Sequence, residues 1–456
     1  MTTSEFPPDF LWGVATSSYQ IEGAINEGGR GASIWDQFAA TPGKTFRGHT
    51  GAVAADHYHR MADDVALMAS LGVRSYRFSV AWPRVIPDGR GPVNTQGLDF
   101  YDRLVDMLVA HDIVPLVTLY HWDLPTALHT RGGWLHRETA EAFADYSVVV
   151  AKRLGDRVHK WITHNEPWCA AYQGYGNGKH APGIVDNAAA VSAGHHLLVS
   201  HGLALQRMRS VLGAKAQIGI ALNLYPVYPE DDKPATIEAT AHADDFKNRW
   251  FLDPVLRGTY PEHLFSYLHT APPPVQPSDM DLISQPIDFL GVNYYTRSII
   301  RATPHGYTEV NSVQGASYTA MGWEVYPQGL TVLMRRLHEE YAAPPIMITE
   351  NGSAFYDKWD EHVSMVDDPE RLHYLQSHIA ALEAAAKMGV RVGGYFAWSL
   401  LDNFEWSEGY DKRFGLVYVD YITQRRIPKA SAHWYGQYIR SQRIDEPEIV
   451  LPGITS

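Results

Sequence analysis

Eight short β-rich runs punctuate the chain, and the segments between them carry helical periodicity. The runs occupy residues 10–19, 74–80, 113–122, 159–164, 217–224, 287–295, 345–349 and 392–400. Several are near-continuous apolar stretches, such as IVPLVTLY and PIDFLGVNYY, the pattern of strands buried on both faces. Between them, Met61, Val65, Met68 and Leu71 fall at i, i+4, i+7 and i+10, and Leu98, Tyr101, Val105 and Leu108 do much the same. Leu330, Leu333, Met334, Leu337 and Tyr341 form another apolar stripe, as do Leu372, Leu375, Ile379 and Leu382. Gly72 and Gly389 follow two of these stripes, where helices commonly end. Strand–helix alternation of this kind implies a parallel sheet.

An open doubly wound sheet gathers its chemistry at the one crevice where strand order reverses. Here polar or aromatic residues end nearly every run: Gln20, Arg77, His121 with Trp122, Asn165 with Glu166, Asn223, Asn293 with Tyr295, Glu350 and Trp398. Functional-looking residues at so many strand ends predict a closed (β/α)8 barrel, an α/β fold of the TIM type with elaborated loops after its strands. At 456 residues the chain exceeds the usual domain length, but barrels of this class run long as one unit, so residues 1–456 read as a single domain. The proline-rich stretch 271–278, APPPVQPS, reads as a loop before the sixth strand, because a strand-like run follows within about ten residues. Residues 301–318 lack clear periodicity and read as a long loop of the kind that carries specificity.

Composition excludes several classes. Hydrophobic residues at 45% and charged residues at 20% exclude disorder and coiled coil. A single cysteine, Cys169, excludes a disulfide framework and a zinc ribbon. The net charge of −13 argues against nucleic acid as a partner. The opening MTTSEFPPDF has neither a basic nor an apolar leader segment, and no stretch approaches the ~20 apolar residues of a membrane span. The expectation is a cytoplasmic protein without a membrane partner. The 13 Trp, 26 Tyr and 15 Phe are explained first by a large core, and second by a site that binds flat apolar faces rimmed with polar groups, as sugars are.

Two motifs carry the chemistry. In Thr163-His164-Asn165-Glu166-Pro167, Pro167 lacks an amide donor and biases Glu166 away from helical geometry, so the fourth strand stops with a carboxylate at the barrel rim. The seventh run ends Thr349-Glu350-Asn351-Gly352, and Gly352 permits a sharp turn after a second carboxylate. Strands four and seven lie on opposite arcs of an eight-membered ring, so the two acids can face each other. Facing carboxyl groups organise glycoside hydrolysis, and retaining enzymes hold them ~5–5.5 Å apart.

Around these motifs the chain resembles glycoside hydrolase family 1 β-glucosidases. FLWGVATSSYQIEG, RFSVAWPR, YHWDLP, THNEP, GVNYYT, ITENG and WSLLDNFEW…GY…RFGL match that family's blocks in order, over residues 6–438. The resemblance implies a retaining, exo-acting β-glucosidase with β-fucosidase or β-galactosidase side activity, a small-molecule β-glucoside as partner, and no metal or cofactor. It makes Glu166 the acid/base and Glu350 the nucleophile. Arg77 and Tyr295 stand where they can pair with Glu350, lower its pKa and orient it, with Asn293 beside them. Glu166 has no cation to pair with and faces a negative charge, which keeps it protonated. Once Glu350 becomes a neutral ester that repulsion ends, and Glu166 can take a proton from water.

The resemblance further implies that Gln20, His121, Asn165, Glu405 and Trp406 hold the hydroxyls of the terminal sugar, with Asn165 on the 2-hydroxyl, Trp398 stacked beneath the ring and Trp122 beside His121. Relatives that act on 6-phosphosugars replace the acid at position 405 with serine and add a lysine and a tyrosine downstream. This chain has Glu405, Lys412 and Phe414, so an unphosphorylated sugar is expected and Lys412 reads as structural or solvated. Candidates for the leaving-group side are Trp168, Cys169, His180, Asn223 and Trp323. Cys169 reads there as a lining or packed thiol, since a second nucleophile has no task. The resemblance also implies a cis peptide between Trp398 and Ser399. Two other readings use the same residues differently: a transglycosylase with the same acid pair, and a sugar-binding barrel without catalysis.

Other signals fail. GGRGAS at 28–33 lacks the third glycine of a dinucleotide fingerprint, and Gly178-Lys179-His180 lacks the first glycine and the hydroxyl of a phosphate loop. His57 and His59 suggest no third metal ligand.

Overall fold

In the computed structural model of the chain, which describes residues 6–360 and 362–442, the eight predicted runs become eight parallel strands of a closed barrel. They are β1 (Leu11–Ala15), β2 (Ser75–Ser79), β3 (Val114–Tyr120), β4 (Lys160–Asn165), β5 (Gln217–Asn223), β6 (Phe289–Asn293), β7 (Ile346–Asn351) and β8 (Val392–Trp398). Each pairs with its sequence neighbours, and β8 closes on β1 with Leu11 opposite Gly394 and Ala15 opposite Trp398. The four predicted apolar stripes lie on the helices His57–Leu71, Thr95–Ala110, Pro327–Tyr341 and Pro369–Lys387. The first of these ends on Gly72, whose φ of 84° lets its N–H reach back to Met68 and Ala69 carbonyls.

Two cores explain the continuous apolar runs. Inside the barrel, Ala15, Leu116, Ile162, Ala221, Phe289, Met347 and Phe396 fill the axis. Outside it, alternate residues such as Val14, Val117, Trp161, Ile220 and Ile348 pack against helical residues including Val65, Leu104, Leu197 and Leu333. A strand buried on both sides has no polar face, and each large side chain so buried contributes ~1.5–3 kcal/mol.

Three departures from expectation matter. The first run is shorter as a strand than predicted: β1 stops at Ala15, and Ser18–Ile21 is a helical turn entered from extended Ser17, whose hydroxyl donates to Gln20 Oε1 at 2.7 Å. Gln20 therefore sits beyond the strand end. Residues 301–318 are not all loop, because Ser298–Thr303 and Gly306–Glu309 form an antiparallel hairpin to which Val227–Pro229 adds a third strand. One face of this hairpin is open to solvent, so its polar residues mask the alternation. A second small hairpin, Val417–Val419 with Arg426–Pro428, follows β8. The stretch 271–278 carries no helix or strand and leads through the short helix Asp279–Ile283 into β6, as predicted. Among the described residues no helix is long and apolar enough to cross a membrane.

Apart from a shift at Ile346/Met347 where β7 begins, the irregularities of the ladder lie at the predicted functional strand ends. Register shifts occur at Ile162/Asn165 on β4, at Ile348/Glu350 between β7 and β6, and at Ile348/Asn351 between β7 and β8. Irregularities of this kind re-aim side chains at strand ends.

Candidate active site

Glu166 and Glu350 project into one cavity at the C-terminal end of the barrel. Glu166 follows β4 with φ at 45°, and its N–H donates to Ala221 O at 2.8 Å. Pro167 keeps it out of right-handed helix, as expected, but the residue falls in left-handed rather than extended backbone. Trp122 (φ 77°) and Trp406 (φ 49°) on the same cavity wall share that geometry. Such residues cost ~1–3 kcal/mol each and persist where the surroundings fix them. Gly352 serves a different purpose from the predicted turn: a Cβ there would lie 1.8 Å from Trp398 O, so only glycine lets the chain after Glu350 pass the end of β8. The Trp398–Ser399 peptide is cis.

The two acids have unlike surroundings. Arg77, wholly buried on β2, donates from Nη1 to Glu350 Oε1 at 2.6 Å and to Thr349 O at 2.8 Å. Its Nη2 donates to Asn165 Oδ1 at 2.6 Å, and Tyr295 O–H donates to Glu350 Oε2 at 2.7 Å. Asn293 Nδ2 donates both to Asn165 Oδ1 at 2.9 Å and to Glu166 Oε1 at 2.7 Å. The remaining Glu166 oxygen, Oε2, meets Cys169 Sγ at 3.1 Å.

Burial, and then the charge of Glu350, pushes the Glu166 carboxyl up to about 7. Burial raises Glu350 as well, where the sequence suggested a net lowering, and Arg77 followed by Tyr295 pulls it back. With a guanidinium in contact on one side only, the shared proton resides on Glu166 and the negative charge on Glu350. A third acid, Glu405, is pushed up to about 8 by burial and then by the other two, with Gln20 Nε2 as its donor at 3.3 Å. Burial beside two other acids thus disfavours the charged form of Glu405. Of the nearby cations, Lys412 donates to Asp411 and Tyr356, Lys179 faces Glu408 at 3.9 Å, and Arg77 holds Glu350.

Around the acids the wall is aromatic and polar in turn. The Trp398 and Trp406 rings each stack on His121 with centroids 5.8 Å away. His121 Nε2 accepts from Asn165 Nδ2 at 3.0 Å, and burial next to Arg77 drives its basicity well down. On the wall, His121 Nδ1 and His180 Nδ1 are buried without a hydrogen-bond partner, a condition that ligand hydroxyls relieve. Burial also lowers His180 to about 3. Trp122 spends its indole N–H on Asn165 O at 2.8 Å and offers only a ring face. Tyr295, Trp323 and Phe414 cluster across the mouth, with centroids 5.2–6.1 Å apart.

Most predicted residues converge here: His121, Trp122, Asn165, Glu166, Cys169, His180, Tyr295, Trp323, Glu350, Trp398, Glu405, Trp406 and Phe414 line the cavity. Arg77 and Asn293 lie just beneath, bonded to the acids. Gln20 is wholly buried and holds Asn403 Oδ1, Phe404 O and Glu405 Oε2, behind the wall rather than on it. Trp168 donates to Phe246 O and packs on Tyr172 and Phe246, off the wall, and Asn223 is buried behind Tyr225. Lining residues the sequence reading missed are Gln173, Lys179, Tyr225, Met321, Ser407 and Glu408. Gln173 comes from the π-helical segment Cys169–Gly176, whose wide turns defeat a 3.6-residue period. The others stand within three residues of predicted ones, on loops or, for Ser407 and Glu408, in the 3-10 turn Trp406–Glu408, both too short for periodicity. Among the described residues no three His, Cys, Asp or Glu side chains are placed to hold a metal, and His57 and His59 are engaged with Asp64, Asp56 and Glu27.

Comparison with known proteins accords with this geometry. The family model for glycosyl hydrolase family 1 matches residues 2–444. Similar curated proteins include β-glucosidase A of Acetivibrio thermocellus, 45% identical over 97% of this chain and 99% of that one. Thermostable β-glucosidase B of Thermobispora bispora is 50% identical over 95% of this chain and 90% of its own. A bifunctional β-D-glucosidase/β-D-fucosidase of Bifidobacterium breve is 46% identical over 96% and 98%. Among solved structures, the β-glucosidase from Thermotoga maritima in complex with glucoimidazole superposes with a TM-score of 0.93 at 46% identity, covering 96% of this chain and 99% of that one.

Proposed function

The chain belongs to glycosyl hydrolase family 1, and from that premise we propose that it is a retaining, exo-acting β-glucosidase whose nucleophile is Glu350 and whose acid/base is Glu166. The observation that carries the assignment is the unequal pairing of two acids in one cavity. Glu350 is held by a cation and a phenol, whereas Glu166 has an amide and a thiol.

In this reading the terminal β-glucosyl residue of a cello-oligosaccharide, or of an aryl or alkyl glucoside, stacks on Trp398. Its hydroxyls meet His121, Asn165, Glu405 and Trp406, while Gln20 acts through Glu405, which it holds. Glu166 gives its proton to the glycosidic oxygen as a Glu350 oxygen attacks the anomeric carbon, and the C–O bond to the leaving group breaks. The product is a glycosyl ester on Glu350 and an ionised Glu166. With Glu350 now neutral, the repulsion that raised Glu166 is gone, so Glu166 takes a proton from water as that water displaces the ester. Two displacements at one carbon retain its configuration. Trp323, Phe414, Cys169 and His180 flank the leaving group, with Trp168 and Asn223 further out. Activity on β-fucosides accompanies this reading, as in the name of the Bifidobacterium relative. The whole chain serves as one catalytic domain acting on a small molecule, and its single free cysteine fits a cytoplasmic setting.

A 2-deoxy-2-fluoroglucoside with a good leaving group tests the assignment, because it forms the ester quickly and releases it slowly. Mass spectrometry of the digested protein is expected to find one fluoroglucosyl group on the peptide containing Glu350. A label on another residue overturns Glu350 as the nucleophile, and no label overturns the retaining mechanism.

A further inference from the structure

The hydrogen bonds around Glu166 determine which of its oxygens carries the proton. Arg77 can only donate, so the Asn165 atom that receives Nη2 at 2.6 Å is the amide oxygen. That oxygen also faces Asn293 at 2.9 Å, so the Asn293 atom there is the amide nitrogen. The same nitrogen points its second N–H at Glu166 Oε1, 2.7 Å away. A neutral carboxyl group accepts better through its carbonyl oxygen than through its hydroxyl oxygen, so with Oε1 accepting this N–H the geometry favours the acid proton on Oε2. Among the described residues, the side chain hydrogen-bonded to Oε2 is Cys169, with Sγ at 3.1 Å.

We infer that Cys169 is a positioning residue for the reaction, its thiol holding the Glu166 oxygen that gives up the proton and later takes one back. The inference rests on the acid/base assignment above. The chain delivers the thiol by way of the π-helical segment Cys169–Gly176, which begins two residues after Pro167 and points Cys169 back at the residue three before it. Gln173 Nε2, one turn on, donates to Sγ at 3.5 Å and fixes the thiol from the far side. The sulfur is buried and shielded, and burial beside Glu166 pushes the thiol's ionisation well up, so it stays S–H and remains a donor.

The two states of Glu166 use the thiol differently. While Glu166 is protonated, Oε2–H points to the leaving-group oxygen and sulfur is a passive wall. When Glu166 is ionised, S–H donates to Oε2 and stabilises the charge, which favours the base needed for the second displacement. Loss of the donor should raise the pKa of Glu166. The other charged and titratable groups around Glu166 are Glu350, Arg77, Tyr295, Tyr225 and Glu405, and none of them bonds to Oε2.

The experiment is the pH profile of kcat/KM on an aryl β-glucoside, for the full chain and its Cys169→Ala, Cys169→Val and Cys169→Ser variants. The alkaline limb reports deprotonation of Glu166 in the free enzyme. Removing the donor with alanine or valine is expected to move that limb up by about half a pH unit or more, and serine, a better donor, to keep it in place or move it down. A limb unmoved in the alanine and valine variants, or displaced upward by serine as well, overturns the inference. Glu166→Gln separates the two levels: if it retains the alkaline limb, the acid/base assignment itself is wrong. If it loses the limb while the Cys169 variants leave it unmoved, only the role of Cys169 falls.

Discussion

Arg77 and Asn165 meet at 2.6 Å, Nη2 to Oδ1, and through that contact one guanidinium spans the ends of β4 and β7. Its other terminal nitrogen holds Glu350, so the residue next to one acid and the carboxylate of the other are positioned by a single rigid fork. The same fork is the main influence opposing burial at Glu350.

Replacing Arg77 separates charge from geometry. Arg77→Met removes the cation, so Glu350 should take up a proton at higher pH and the acidic limb of kcat/KM should move up by about 1 unit or more. The variant also takes the guanidinium from Glu350 and Asn165, leaving Tyr295 and Asn293 as their remaining donors, and up to ~3–5 kcal/mol of stability should go with it. Arg77→Lys restores the charge but not the fork, so the limb should return most of the way while kcat stays low. An acidic limb that does not move in Arg77→Met would show that another group sets the ionisation of Glu350.

Glu166→Gly tests the proton donor through the leaving group. Aryl glucosides with acidic phenols need little protonation, so their first displacement should fall far less than that of cellobiose, by a factor on the order of 10²–10⁴ in the difference. The second displacement then limits the rate, and added azide, which needs no base, should restore turnover and give a β-glucosyl azide. Equal losses on both substrate types, with no azide product, would remove Glu166 from the acid role.

The barrel was legible because its strands are covered on both faces. A run such as IVPLVTLY has no polar alternation to confuse with a loop, and each run ends where the polar residues begin. The hairpin at Ser298–Thr303 and Gly306–Glu309 was hidden for the opposite reason: with one side open to solvent, Arg301 and Thr303 broke up its apolar pattern. The acids were legible as strand-end glutamates, and Pro167 marked where β4 must stop. Their protonation was only half legible. The cation at Glu350 could be anticipated from Arg77 on β2, but the strength of burial at both acids and at Glu405 depends on the closed aromatic wall, which no local pattern reports. Gln20 lies behind the wall because the chain leaves the strand at Ala15 and turns helical at Ser18, where the hydroxyls of Ser17 and Ser18 bind Gln20 Oε1 and Asp123 Oδ2, a turn the apolar pattern does not announce.

Asp123, two residues beyond His121, gives a prediction independent of catalysis. It is wholly buried, Ser18 Oγ donates to its Oδ2 at 2.8 Å, and Oδ1 has no partner. Burial, aided by Glu22 and opposed by Ser18 and Arg30, pushes its carboxyl up from 3.8 to about 7. Below about 4 the carboxyl is protonated whether the chain is folded or not, and its effect on stability is at its most favourable. Between about 4 and 7 the unfolded chain releases the proton and the folded one keeps it, so each pH unit removes about 1.4 kcal/mol from folding, and above about 7 the loss levels off. Asp123→Asn keeps the acceptor for Ser18 and abolishes the titration. Thermal unfolding at a series of pH values should therefore find the variant near wild type at pH 4, more stable by pH 6, and ahead by a constant margin above pH 8. A gap that does not change with pH would mean that Asp123 ionises freely where it lies, reached by water or by a cation.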